Sequence, residues 1–371
     1  MSIDELLPRH LQPDQSNNGK PPAFPFITDG DEWKTISSSD RPDWASGFWT
    51  GTHWIASDSG LIDEEKALEL TREIDLEFER NYNTGFRFQY SWVPAFETTG
   101  KSRYKLKALQ GAERLSRCYF PDLSIVGNMT DDQTIVAANN ALMNLPLLLW
   151  ADNQTPDSTE YRRYLDEFLT KATELFVKPS GAVRHRIHYD RETQSIQAVD
   201  TDHGLAGGCW SRGLAWTVYG LVLGGIYLDD DHYLTTAKVA MDYHIENSYN
   251  LIPAFDYSIS TLKKPELTDT SAAAILACAM LTLGKYEKNE QAEELGQQIT
   301  KTLFEKYRRG PDRDGLIDGG CFHYPEEEGI NEATVWGDFY ALEARYLMEN
   351  GELPSYLSWI KRSPAVRAKA S

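Results

Sequence analysis

The stretch VDTDHGLAGGCWSRGLAWTVYGLVLGGIYLDDDHYLTTAKVAMDYHIEN (Val199–Asn247) sets two kinds of helix side by side. Ser211–Leu228 is apolar, aromatic and glycine-spotted around its whole circumference, which predicts a buried helix. Asp231–Asn247 carries one charged face, which predicts a helix on the outside. The same alternation recurs along the chain. Buried-type segments cover Trp44–Ser57, Gly85–Ala95, Thr134–Ala151, Thr270–Leu283 and Ala333–Met348. Amphipathic segments cover Asp63–Tyr82, Ser102–Tyr119, Ser158–Val177 and Glu287–Tyr307. An inner–outer alternation repeated about six times is what an all-α (α/α)6 barrel, a six-hairpin toroid, requires. The sixth outer partner is either an N-terminal helix or Pro354–Lys361.

Outside that pattern, residues 1–40 are rich in Pro, Asn, Asp and Ser and read as an extended arm after one short helix. A single barrel domain over 41–360 and a disordered basic tail over 361–371 complete the expected organisation. Ala182–Asp202 and Gly310–Tyr324 alternate apolar and polar residues, so they read as short β-hairpin or loop insertions. Long ordered loops over a rigid barrel are where sites are usually built.

Composition narrows the function classes. The chain has 371 residues, with 37 Lys+Arg against 56 Asp+Glu and a net charge of −19. That balance opposes nucleic-acid binding, which needs a basic patch. Four scattered cysteines, Cys118, Cys209, Cys278 and Cys321, form no CxxC pair, so neither a zinc site nor a disulfide framework is indicated. The apolar runs are too short to cross a membrane, and the N-terminus lacks a signal-peptide pattern, so a cytoplasmic protein is the expectation. Aromatic residues reach 12%, high for a plain helical scaffold and suited either to large cores or to a ligand cleft.

Several stretches carry candidate sites. In DWASGFWTGTHWIA (Asp43–Ala56), Asp43 is placed to cap a helix, and Trp44, Phe48 and Trp49 suit either core packing or an aromatic pocket wall. Arg212 and Trp216 lie at i,i+4 and share a helix face. A buried Arg there needs an anion, supplied by a structural carboxylate or by a ligand. His203 and Trp210 lie on the loop just ahead. Asn140 and Asn144, also at i,i+4, either tie inner helices together or line a cavity. Asp131 and Asp132 look like helix N-terminal caps. The pair His185/His188 lacks a third ligand nearby in sequence, so no metal is expected. Asp338 in VWGDFYALEA, next to Trp336, is a carboxylate on a buried-type helix.

The order DWASGFWTG, NTGF, MNLPLLLWA, HRIHYD, CWSRGLAW, DTSAAAI and TVWGDFYALEA resembles the unsaturated glucuronyl hydrolases of glycoside hydrolase family 88. It more distantly resembles the unsaturated rhamnogalacturonyl hydrolases of family 105. The likeness runs from about Asp43 to Met348 and implies an (α/α)6 barrel. It also implies hydration of the C4–C5 double bond that a lyase leaves on a uronic acid, followed by collapse that frees the aglycone. Two aspartates carry that reaction in the family, one protonating the vinyl ether and activating water. The resemblance sets Thr84, in Asn83-Thr84-Gly85-Phe86, at the first aspartate, and Asn140, four residues ahead of Asn144-Leu145-Pro146, at the second. Neither Thr nor Asn exchanges a proton near neutral pH as a carboxyl group does.

His185, His203, Arg212 and Trp216 match residues lining the family's uronate pocket, and Trp44 and Trp49 match its aromatic entrance. The candidate reacting residues are therefore Asn140, Thr84, Asn83, His203 and Arg212. The candidate ligand contacts are Trp44, Trp49, His185, Trp210, Trp216, Asn144 and Trp336. No cofactor or metal is expected; the expected partner is a small molecule, an unsaturated uronide or a natural-product intermediate, and a homodimer is compatible with it. Three readings stay open: a hydrolase with a relocated acid (Asp200, Asp202 or Asp338), a non-hydrolytic cyclase, isomerase or lyase on the same scaffold, and a sugar-binding protein without catalysis.

Overall fold

Helices in a chain of this size persist because their apolar faces are covered, more than through propensity. In the structure, a computed structural model describing residues 24–36, 43–75, 81–156, 158–259 and 267–362, the chain starts with an antiparallel hairpin. Its strands are β1 (Phe24–Asp29) and β2 (Glu32–Ile36). Twelve α-helices follow among the described residues. Six positions of an inner ring are filled in order by α1 (Ser46–Asp58), α3 (Thr84–Gln89) continued by α4 (Trp92–Thr99), α6 (Pro146–Gln154), α8 (Ser211–Leu228), α10 (Thr270–Glu287) and α12 (Val335–Asn350). Each packs on the next, and α12 returns to α1, closing an (α/α)6 toroid.

Five amphipathic helices back the ring: α2 (Glu64–Arg72), α5 (Ser102–Ser116), α7 (Glu160–Phe176), α9 (Asp231–Asn247) and α11 (Glu290–Lys306). The sixth backing position goes to the C-terminal 3-10 turn Ser355–Arg362, which packs on α1, α4 and α6. The N-terminal helix and the basic tail beyond residue 362 lie outside the described residues. Burial follows the predicted division. On α8 every residue from Ser211 to Tyr227 is buried, whereas on α9 only one face is.

The pattern reading overextended several helices. Thr134–Ala151 is not one helix. TIVAA buries alternate side chains as β6 (Thr134–Ala138), Asn139–Asn144 is a 3-10 turn, and Pro146 opens α6 at a position where its missing N–H costs nothing. Asp131 accordingly caps no helix; it accepts from the backbone N–H groups of Gln133 and Thr134 in the turn before β6. The run Gly85–Ala95 breaks between Gln89 and Trp92, and the helix expected over Asp63–Tyr82 ends at Arg72. The arm of residues 1–40 contains the β1–β2 hairpin, whose Phe26 packs on Trp44, Phe322 and Trp336.

A small antiparallel sheet then decides where the site lies. After the two-residue pair β3 (Tyr119–Phe120) and β4 (Ile125–Val126), it has the order β5 (Asn128–Met129), β6, β7 (Arg186–Asp190), β8 (Ser195–Val199), so Ala182–Asp202 does contain a hairpin. In its register Ala138 faces Arg186, and Arg186 faces Val199. The end of β6, the start of β7 and the end of β8 therefore share one edge. Across the barrel, β9 (Gly320–His323) pairs with β10 (Glu328–Glu332), a hairpin that begins later than the Gly310–Tyr324 expectation.

Candidate functional site

That sheet edge delivers residues 139–140, 185–186 and 200–203 to one place. Backbone hydrogen bonds lock them together: Asn139 N–H donates to His185 O at 3.0 Å, and His185 N–H donates to Asp200 O at 2.7 Å. The cavity they open on holds about 170 Å³ and is lined by Trp44, Tyr82, Asn83, Phe86, Asn140, His185, Arg186, His203, Trp210, Arg212, Trp216 and Phe322. Its floor is an aromatic stack. Phe86 lies 5.3 Å from Trp216 and 6.2 Å from Trp44, centroid to centroid.

Of the residues anticipated from sequence, Asn83, Asn140, His185, His203, Trp44, Trp210, Trp216 and Arg212 line this cavity. Four others do not. Thr84 turns away, its hydroxyl donating to Asn81 O at 2.7 Å within the first turn of α3. Asn83 is the residue that reaches the cavity, one position before the one the resemblance indicates. Asn144 is structural: its Oδ1 accepts from Phe86 N–H at 2.7 Å and its Nδ2 donates to Asn140 O at 3.1 Å. Gly85 makes that contact possible, because a Cβ there would lie 2.5 Å from Asn144. Trp49 faces His53 instead, and Trp336 stands one layer behind, 4.8 Å from Trp44.

At the cavity, Asn140 Nδ2 donates to Asn83 Oδ1 at 3.4 Å, and Tyr82 hydroxyl donates to Asn140 Oδ1 at 3.0 Å. Burial pushes the Tyr82 hydroxyl up to about 12, so it stays protonated. Across from this group, Asp202 collects three partners: His203 Nδ1 at 2.7 Å, His185 Nδ1 at 2.6 Å and the Arg186 guanidinium at 2.6 Å. Burial alone would raise the Asp202 carboxyl, but the two imidazoles outweigh it and hold the group well below the usual range. The same burial drives His185 down to about 4 and His203 down to about 3. Both rings are therefore neutral at physiological pH.

Arg212 is tied into the protein by an ion pair and two backbone carbonyls. It pairs with Asp269 at 2.8 Å and donates to the carbonyls of Cys321 (2.5 Å) and Phe322 (2.7 Å), lying over Trp210 and Trp336. Asp269 in turn caps α10 by accepting from Ser271 and Ala272 N–H. Of the carboxylates considered as a relocated acid, Asp200 pairs with Lys178 at 2.6 Å, and Asp338 accepts from Leu316 and Ile317 N–H in a buried pocket of its own. Of the three, Asp202 is the one bonded to cavity-lining residues, and it is held ionised.

His185, Asp202 and His203 offer ligand atoms within 4.8 Å of one another, a grouping His185/His188 does not make. Here the Asp202 carboxylate is taken by the two ring nitrogens, on Oδ1, and by Arg186, on Oδ2, and the Arg186 charge opposes a bound cation. The sequence reading missed Tyr82, Phe86, Arg186 and Phe322 as cavity residues; the adjacency of Tyr82 to Asn83 was the only local signal.

No protein-family model matches the chain. It is 28% identical over 351 residues to the unsaturated glucuronyl hydrolase of Bacillus sp. (strain GL1), covering 88% of this chain and 91% of that protein. It superposes on the crystal structure of the unsaturated glucuronyl hydrolase from Bacillus sp. GL1 with a TM-score of 0.81 at 26% identity, over 90% of this chain and 93% of that one. A third match, at TM-score 0.79 and 27% identity over the same shares, is an aspartate-to-asparagine variant of UGL with dGlcA-Glc-Rha-Glc. Among the described residues, no helix is long and apolar enough to cross a membrane.

Proposed function

The chain belongs to the unsaturated glucuronyl hydrolase family, and from that premise we propose that it keeps the family's ligand cavity while lacking its carboxylate chemistry. The ligand is an unsaturated uronide or an oxygen-rich ring of similar size, stacked on Trp44, Phe86 and Trp216 and hydrogen-bonded by Tyr82, Asn83 and Asn140. One observation carries this reading: the two polar side chains that meet in the cavity, Asn83 and Asn140, are both amides. Hydrating a vinyl ether needs a proton donor able to reload near neutral pH, and an amide has none to give. The relative with dGlcA-Glc-Rha-Glc supports retained binding, since that protein also carries an aspartate-to-asparagine change.

The test pairs binding with turnover. With an unsaturated glucuronyl disaccharide, titration calorimetry gives a saturable isotherm, and the ultraviolet absorbance of the enol ether stays at the buffer rate. Enzyme-dependent loss of that absorbance would sink the reading. Absence of binding by this disaccharide and by its saturated counterpart would sink it too.

A further inference from the structure

Changing one carboxylate to an amide removes an acid. Having amides at two facing positions changes which charge the site favours. Carboxylates stabilise cationic character in a reacting ring, whereas amide N–H groups stabilise an oxyanion. The orientation here is set by Tyr82, whose hydroxyl donates to Asn140 Oδ1 at 3.0 Å. Asn140 Nδ2 then donates to Asn83 Oδ1 at 3.4 Å, so Asn83, a cavity-lining residue, has its Oδ1 taken and its Nδ2 as the donor it can offer a ligand. In the same lining, His203 Nδ1–H donates to Asp202 at 2.7 Å, leaving Nε2 as the ring's acceptor. An imidazole anchored through Nδ1 by a carboxylate is the arrangement used to hold a general base in one tautomer.

We propose that this cavity abstracts a proton from a carbon next to a carbonyl group. His203 Nε2 takes the proton, and the amides of Asn83 and Asn140 hold the oxygen of the resulting enolate. The proposal rests on the cavity being the ligand site. In the step the C–H bond breaks, its electron pair forms the new C=C bond, and the carbonyl π pair moves onto oxygen. The proton passes to His203, whose imidazolium is balanced by Asp202 and by the enolate itself. Where the ligand carries a β,γ double bond, the enolate is a dienolate; its γ-carbon takes the proton back from His203 as the double bond shifts into conjugation with the carbonyl, an isomerisation with no oxidant, reductant or co-reactant. The substrate class is a β,γ-unsaturated carbonyl ring of roughly monosaccharide size, set by the cavity of about 170 Å³ and its aromatic lining. Neutrality of His203, driven by burial, keeps Nε2 free to accept across the physiological range.

The first readout uses 4-nitrophenol, whose phenolate is an oxyanion on a flat ring and differs in colour from the phenol. Wild-type protein binds the phenolate at least about tenfold more tightly than the phenol, and Asn83→Asp and Asn140→Asp each erase that preference. The second readout is deuterium uptake at the α-carbons of cyclohexanone in D2O, followed by NMR. Wild type accelerates it about 10²-fold over buffer, and His203→Gln returns it to the buffer rate while phenolate binding persists. The wild-type comparison of phenolate with phenol does not depend on any variant folding. Binding without preference for the phenolate overturns this proposal and leaves the ligand-site reading standing. Failure of both 4-nitrophenol and the uronide disaccharide to bind overturns both. Unaccelerated exchange overturns the role of His203.

Discussion

Asn83 and Asn140, 57 positions apart in sequence, meet amide to amide at 3.4 Å in the cavity, and Tyr82 fixes the far side of Asn140 from 3.0 Å. Thr84, one residue along, is bonded back to Asn81 and takes no part.

This relationship predicts which substitution restores the family chemistry. Asn83→Asp combined with Asn140→Asp creates enzyme-dependent loss of the enol-ether absorbance, because two carboxyl groups then share the cavity and one retains a proton near neutral pH. Thr84→Asp combined with Asn140→Asp stays inactive. Equal activity in the two pairs would refute the assignment of Asn83 over Thr84.

Arg212 is expected to matter for folding before ligand binding. It is 2% exposed and ties α8 to Asp269 and to the carbonyls of β9. Truncation to alanine leaves Asp269 buried without its partner, so Arg212→Ala costs about 3–5 kcal/mol in urea unfolding. A loss below about 1 kcal/mol would mean the ion pair is dispensable and the Arg is kept for the ligand.

Asp256 organises the loop that presents His203 and Trp210. Its buried carboxylate accepts from Leu205 N–H (2.9 Å), Cys209 N–H (3.2 Å), and Ser258 N–H (2.9 Å) and hydroxyl (2.6 Å). Side chains at Gly204 or Gly208 would collide with it. Asp256→Ala is expected to cost about 2–4 kcal/mol. Gly208→Ala, measured at a temperature where it stays folded, weakens 4-nitrophenol binding by displacing His203. Unchanged affinity in a folded Gly208→Ala protein would show that the loop adjusts without moving the cavity wall.

Glu343 is buried on α12, accepting from the hydroxyls of Tyr219 and Tyr356 (2.6 Å for the latter). Burial raises its carboxyl from 4.5 to about 7, against the lowering effect of those hydroxyls. The folded state thus holds this proton more tightly than the unfolded chain. The stability it contributes is complete below about pH 4.5 and is lost as pH rises through 7. Glu343→Gln removes that loss, so its melting temperature relative to wild type climbs by about 2–5 °C between pH 5 and pH 8. His185, His203 and His244 have lowered values and destabilise the fold as pH falls below 6.5, but they do so equally in both proteins and cancel in the difference. A difference independent of pH would place the Glu343 proton elsewhere.

Helical periodicity, all-round apolarity in Ser211–Leu228 and one-sided polarity in Asp231–Asn247 were enough to read the toroid from the chain, because each helix's burial is written into residues within a turn or two of one another. The seven ordered motifs likewise located the family and most of the cavity wall. What local pattern did not carry was how distant segments meet. The shared edge of β6, β7 and β8 that gathers Asn140, His185 and His203, the ties from Arg212 to Asp269 and from Asp202 to two imidazoles, and the choice of Asn83 over Thr84 all depend on register and packing between residues far apart in sequence. A shift of one residue at a turn leaves composition and periodicity unchanged yet points a different side chain into the cavity.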